Sequence, residues 1–269
     1  MILRKWIDID KLNWFNLSKN PNAIFLLNEN QNKISWFSLS QNPNAIELLK
    51  ENQDKIYWTI LSQNPNAIDL LKENPNKIEW DNLSSNSNAI NLIKNNINKI
   101  NWTYLSKNIN AISILKENQE KINWYYLSRN KNAIKLIKEN LNKISWNYLC
   151  KNINAISILE KNKHNINWSY LSSNPNAISL LKENLDKIDW DELSINPNAI
   201  EILRNNQDKI NWTYISLNPS IFTYDYDKIR EDFKDLAEEI ISKALHPKRI
   251  FKLIELYGED EVYNNYFDD

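Results

Sequence analysis

From Trp36 to Tyr57 the chain reads WFSLSQNPNAIELLKENQDKIY, and near copies of this 22-residue phrase recur along most of its length. The phrase is paced by tryptophan, at Trp14, Trp36, Trp58, Trp80, Trp102, Trp124, Trp146, Trp168, Trp190 and Trp212. A fixed period of about 20 to 50 residues marks a stacked repeat, because a unit that small cannot bury its apolar face alone.

Within one unit the spacing is helical. Ser35 is placed to cap a helix that starts at Trp36, and Ile34 and Leu39 match the hydrophobic staple around such a cap. The same slot holds Asn101, Asn123, Ser145, Asn167, Asp189 and Asn211, all short polar side chains. The first helix is expected to be about two turns long, ending near Gln41, and either α or 3₁₀. Asn42-Pro43 then starts a second helix, with Asn as cap and proline at the first helical position, where its missing N–H costs nothing. Ala45, Ile46, Leu48 and Leu49 form its buried stripe, and Asn52 is expected to end it in the left-handed conformation. Proline persists as Pro21, Pro65, Pro175, Pro197 and Pro219, but gives way to Ser87, Ile109, Lys131 and Ile153 in the middle, a change expected to alter the superhelix locally.

The predicted fold is therefore all-α: a curved α-solenoid of about ten 22-residue helical hairpins, stabilised by stacking because isolated helices this short are marginal. Free solenoid ends need covering. Residues 1–13, with Trp6 and Ile9, are assigned to an N-terminal cap, 14–219 to the repeats, and 220–269 to a helical C-terminal cap with an acidic tail. Ile229, Phe233, Leu236, Ala237, Ile240 and Ile241 predict one amphipathic helix from about Tyr226 to Ala244, broken at His246-Pro247. Ile250, Leu253, Ile254 and Tyr257 predict another before Gly258.

The repeated LSxNPNAIxLLKEN and KIxWxxLS, with the terminal EEIISKALHPKRIFKLIELYGEDE, resemble low-complexity, asparagine-rich repeat proteins encoded by giant DNA viruses of amoebae, the mimivirus-like group. The resemblance covers essentially the whole chain. It implies an intracellular phase in an infected host cell and carries over no catalytic or ligand-binding residue. Heavy use of Ile, Lys, Asn and Tyr against a single glycine, Gly258, fits an A/T-rich genome.

Composition narrows the function classes. The formal net charge is -1, no apolar run is long enough to span a bilayer, and the N-terminus lacks a secretory pattern. One glycine excludes a phosphate-binding glycine loop, and one cysteine, Cys150, excludes an intrachain disulfide. Cys150 occupies a slot otherwise filled by Ser18, Ser40 and their equivalents, which points to a structural substitution. His164 falls in a surface turn and His246 in a hinge, where a helix C-cap is the simplest role. Neither cofactor nor metal is expected, and an enzyme is not.

Two kinds of position stand out. The tryptophan and asparagine ladders read as inter-repeat core and as helix caps or a hydrogen-bonded column. The slots that vary read as solvent-facing. Two residues after each tryptophan come Tyr104, Tyr126, Tyr148 and Tyr170 in four consecutive units; five after come Lys107, Arg129 and Lys151. The second helix adds Lys131, Lys135 and Lys138. Residues 102–167 carry 11 Lys/Arg against 4 Asp/Glu, and residues 221–269 carry 7 against 13, so the near-zero total hides a basic middle and an acidic end. A basic face interleaved with tyrosine suits protein docking or nucleic-acid binding. The sequence favours a non-enzymatic scaffold with a protein partner, over nucleic-acid binding and over a self-associating structural role, with no membrane involved. Modular nucleic-acid reading would keep these slots polar, whereas they pass through Ile60 and Glu192.

Overall fold

The computed structural model describes residues 1–258 and Val262, the side chains at 232 and 235–237 excepted. The chain forms two compact bodies, Leu3–Phe222 and Met1–Ile2 with Thr223–Asp269.

The first body is a ten-repeat α-solenoid. Each repeat opens with a short α-helix at its tryptophan, as in Trp36–Leu39 and Trp102–Leu105, reaching six residues only in Trp190–Ile195. These helices are α, and shorter than the two turns expected. Ser35, Asn101, Asn123, Ser145, Asn167, Asp189 and Asn211 all cap as predicted, each side-chain oxygen accepting from a backbone N–H two or three residues on.

The second segment does not run straight into an α-helix. Pro65–Ala67 is a 3₁₀ turn that leads into the helix Ile68–Glu73. The cause is the preceding asparagine: Asn64 Oδ1 accepts from Asn66 N at 3.0 Å, and this Asx turn is tighter than an α-turn. Ser87–Ala89 and Lys131–Ala133 do the same without proline, so the turn belongs to the asparagine. Asn52 also departs from expectation. Its backbone sits at φ -132°, ψ 52°, and no described non-glycine residue has positive φ. It closes the helix with its side chain instead, Nδ2 donating to Leu48 O at 3.0 Å.

Stacking uses apolar and polar columns together. Leu39, Ala45 and Leu49 and their equivalents are fully buried, each such leucine stabilising the stack by roughly 1.5–3 kcal/mol. Between them run two buried polar ladders. Ser18 Oγ donates to Trp14 O at 2.7 Å and accepts from Ser35 N of the next repeat at 3.1 Å. Asn42 Nδ2 donates to Ser18 O and Asn20 O of the preceding repeat at 3.1 and 2.8 Å, while Oδ1 accepts from Asn44 N at 3.0 Å. The asparagine is thus both cap and inter-repeat rivet. Among the described residues no buried side-chain nitrogen or oxygen lacks a partner, as a close-packed interior requires.

The tryptophans are half-buried, one side packed on the core. Over the other, in all repeats but those of Trp58, Trp146 and Trp212, sits a lysine from the turn 19 residues on, as with Lys33 Nζ at 4.6 Å from the Trp14 ring and Lys121 Nζ at 4.6 Å from Trp102.

The solenoid closes on itself. Asn20, in the first repeat, donates to Ser216 O and Asn218 O of the tenth, both at 3.0 Å. Asn13 N donates to Ser216 Oγ at 2.8 Å, Asn22 Nδ2 to Pro219 O at 3.0 Å, and Lys11 Nζ lies 5.0 Å from the Trp212 ring. Each is the bond made inside the stack, displaced by ten periods: the seam is a tenth inter-repeat interface of the same construction. Arg4 adds Nε–H to Ser220 O at 2.7 Å, Phe25 meets Phe222 edge-on at 5.5 Å, and strands Ile2–Leu3 and Phe222–Thr223 pair. The first and tenth repeats therefore cover each other's apolar faces, the task for which the sequence reading invoked separate caps. Within 1–13, Ile7 and Leu12 are buried in the ring's core.

In the second body the helix expected from Tyr226 to Ala244 is two, Tyr226–Asp232 and Lys234–Ala244, with Phe233 outside both at φ -96°, ψ 0°. The side chains of Leu236 and Ala237, and the acidic end Glu259-Asp260-Glu261 and Asp268-Asp269, lie outside the described residues. Pro247–Tyr257 follows; His246 is its N-cap, Nδ1 accepting from Lys248 N at 3.2 Å, and not the C-cap expected, because proline at the first helical position makes the residue before it the cap.

Candidate functional site

Closure turns one side of every repeat inward. Lys151 Nζ in the seventh repeat reaches Glu192 Oε2 in the ninth at 2.8 Å, passing over the eighth. Side chains two repeats apart meet only where a curved stack bends toward itself. The slots two and five residues after each tryptophan therefore line the concave wall.

On that wall, in the fifth to seventh repeats, lies a cavity of about 470 Å³ lined by Lys107, Ile109, Tyr126, Arg129, Asn130, Lys131, Tyr148, Lys151 and Ile153. Six residues singled out in sequence meet here: Lys107, Tyr126, Arg129, Lys131, Tyr148 and Lys151. The cap asparagine places each cation, because its Asx turn fixes the direction of the residues on either side: Arg129 precedes Asn130 and Lys131 follows it. The volume is in the range of small-ligand sites, about 300–1,000 Å³.

Aromatic rings and cations alternate along the wall. Lys107 Nζ sits between two rings, 4.4 Å from Tyr104 and 4.2 Å from Tyr126. Tyr126 meets Tyr148 edge-on at 6.1 Å, Tyr148 lies 5.8 Å from Tyr170, and Lys151 Nζ is 4.9 Å from Tyr170. Tyr104 and Tyr170 thus bracket the cavity. Partial burial, and then the nearby Arg129 guanidinium, hold the Lys107 ammonium below its ordinary value of 10.5, so its charge is short of counter-charge. Arg129 and Lys131 are exposed, and neither makes an ion pair among the described residues.

Lys135, on the second helix, is exposed and does not line the cavity. The sequence reading missed Ile109 and Ile153, which supply apolar lining, and Glu192, the one carboxylate paired with the cationic group among the described residues. The isoleucines stand in the proline slot, where the sequence predicts a local change of the superhelix; the Asx turn survives the loss of proline, Asn108 and Asn152 Oδ1 still accepting from Asn110 and Asn154 N at 3.0 Å, so what changes is the side chain on the wall.

The other reactive residues are placed structurally. Cys150 is buried, its Sγ accepting from Asn167 N at 3.4 Å in the serine position, and burial pushes its thiol up. His164 is exposed in the turn Lys163–Asn165. Among the described residues no helix is long and apolar enough to cross a membrane. Comparison with protein-family models, with curated proteins and with solved structures found no match.

Proposed function

We propose that the ring is a non-enzymatic scaffold that docks a protein partner on the basic, tyrosine-lined arc of its fifth to seventh repeats. The observation that carries this is the convergence of Lys107, Arg129, Lys131 and Lys151 with Tyr126 and Tyr148 around one concave cavity. Tyrosine and arginine in a partly desolvated pocket are the side chains that dominate protein-binding energetics, since each places large contact area at low entropy cost. A ring is suited to the task because its repeats hold the pocket walls from both sides. The sequence resemblance to giant-virus repeat proteins is what supports looking for this activity inside an infected amoeba.

The test is capture from lysate of infected amoebae, with nuclease, by the wild-type chain and by Tyr126→Ala/Arg129→Ala. A discrete protein retained by the wild type and lost by the variant, with helicity and melting unchanged, supports the reading. Equal capture by both removes this arc from consideration. Capture that vanishes after nuclease transfers the arc to nucleic-acid binding, the second reading, which the cation-tyrosine alternation favours.

A further inference from the structure

We infer that the cavity recognises a phosphorylated side chain on the docking partner. This rests on the protein-docking reading above and names the chemistry of its anchor.

Charge and shape carry the argument. Four cationic side chains, Lys107, Arg129, Lys131 and Lys151, line one cavity, and among the described residues the single carboxylate bound to any of them is Glu192, on Lys151. Among the described residues three positive charges are left without a carboxylate in this concave space, Lys107 partly buried and Arg129 and Lys131 exposed. One carboxylate side chain would answer only one of them. A phosphate monoester brings about -1.5 to -2 charges and three acceptor oxygens at one point. Arg129 supplies the planar fork that takes two phosphate oxygens at once, and the lysines supply point charges. Ile109, Ile153 and the two tyrosine rings provide apolar walls for the carbon part of the esterified side chain. The depressed Lys107 value agrees with a cation that lacks its counter-ion.

The consecutive run of basic slots also coincides with the cavity, Lys19 of the first repeat being the one cation of this slot outside it. Five residues after tryptophan, the other repeats carry Lys19, Gln41, Gln63, Ser85, Ser173, Ile195 and Leu217. A nucleic acid tracking the wall would require cations to continue around it, since each phosphate contact adds separately to affinity. One compact anion requires them only here.

Fluorescence anisotropy with three degenerate peptide pools, carrying a central phosphotyrosine, phosphoserine or unmodified tyrosine, tests this on the full chain. A single-stranded oligonucleotide and inorganic phosphate serve as further probes. At least one phosphorylated pool should bind about ten-fold or more tighter than the unmodified pool, as charge-assisted bonds require. Arg129→Ala/Lys131→Ala should abolish that preference, Lys135→Ala should leave it intact, and inorganic phosphate should compete. Both variants change exposed side chains, and circular dichroism confirms their folding. Equal binding of all pools, lost in Tyr126→Ala, would overturn phosphate recognition while leaving protein docking in place. Tighter binding of the oligonucleotide would overturn both, and so would absence of binding by any pool together with a negative partner capture. A positive capture that ignores partner phosphatase treatment would overturn only the phosphate anchor.

Discussion

Replacing Asn20 with alanine distinguishes a closed ring from an open solenoid by its energetic cost. In the ring, Asn20 does what its equivalents do inside the stack. Its amide donates to Ser216 O and Asn218 O, and its oxygen caps Asn22 N. Alanine removes all three bonds. Loss of the cap costs about 1 kcal/mol. Asn218 O keeps its bond from Ile221 N, so the lost second bond costs about 0.5–1 kcal/mol, whereas Ser216 O is left buried and unpaired at about 1–3 kcal/mol. The sum is about 2.5–5 kcal/mol. Asn108→Ala, at an interior interface with the same bonds to Ser84 O and Asn86 O, sets the reference. In an open solenoid Asn20 would face no preceding repeat, and only the cap term of about 1 kcal/mol would remain. Urea titrations followed by tryptophan fluorescence and far-ultraviolet circular dichroism measure both variants. The ring predicts equal losses within about 0.5 kcal/mol and unchanged m-values. A cost near 1 kcal/mol at Asn20 beside about 2.5–5 kcal/mol at Asn108 would refute closure.

Cys150→Ser should be neutral or stabilising by up to about 1 kcal/mol, because a serine hydroxyl can donate to Trp146 O as Ser128 donates to Trp124 O; a melting temperature several degrees lower would contradict the serine-slot account. The native Cys150 thiol, buried and pushed up in pKa, should react with a maleimide far more slowly than in urea. Lys107 has a lowered folded value, so its charged form burdens the folded state at neutral pH, and that burden lifts as pH rises through the folded value toward 10.5. Wild-type stability should therefore gain on Lys107→Met over that alkaline window, and parallel pH profiles would show that Lys107 is not the group responsible. Glu192→Gln frees Lys151 of its partner; stability should change by no more than about 1 kcal/mol, while affinity for the phosphorylated pool rises. Unchanged affinity would remove Lys151 from the anion-binding set.

Much of this molecule is written locally. The caps at Ser35 and Asn101, the buried stripe at Ala45 and Leu49, and the inter-repeat role of Asn42 all follow from short-range spacing. The 3₁₀ turn was harder to see, since Asn-Pro also starts ordinary α-helices and only the Asx bond from Asn64 to Asn66 N decides between them. Closure was hidden because it depends on a small rotation between neighbours, set by side-chain volume on the two faces of the stack, which accumulates over ten units. A signal was nevertheless present. The first repeat keeps Asn20 and Asn22, which need a preceding neighbour, and the degenerate tenth keeps Ser216, whose carbonyl and hydroxyl need a following one. Free ends would use only the local bonds of Asn20 and Ser216, and not the groups that face the neighbouring repeat. The cavity was half legible: the varying slots identified the cations and tyrosines, but Glu192 and the isoleucines belong to the site through curvature, which brings together side chains two repeats apart.

The distance across the seam tests the ring most directly. Nitroxide labels at Phe15→Cys and Asp191→Cys in a Cys150→Ser background span two repeats across the junction, and labels at Thr59→Cys and Thr103→Cys span two repeats inside the stack. These four slots are equivalent, one residue after Trp14, Trp190, Trp58 and Trp102. Closure predicts superimposable distance distributions for the two pairs by pulsed electron-electron resonance. A seam distribution that is longer and broader than the interior one would show that the first and tenth repeats stand apart, and would contradict the ring.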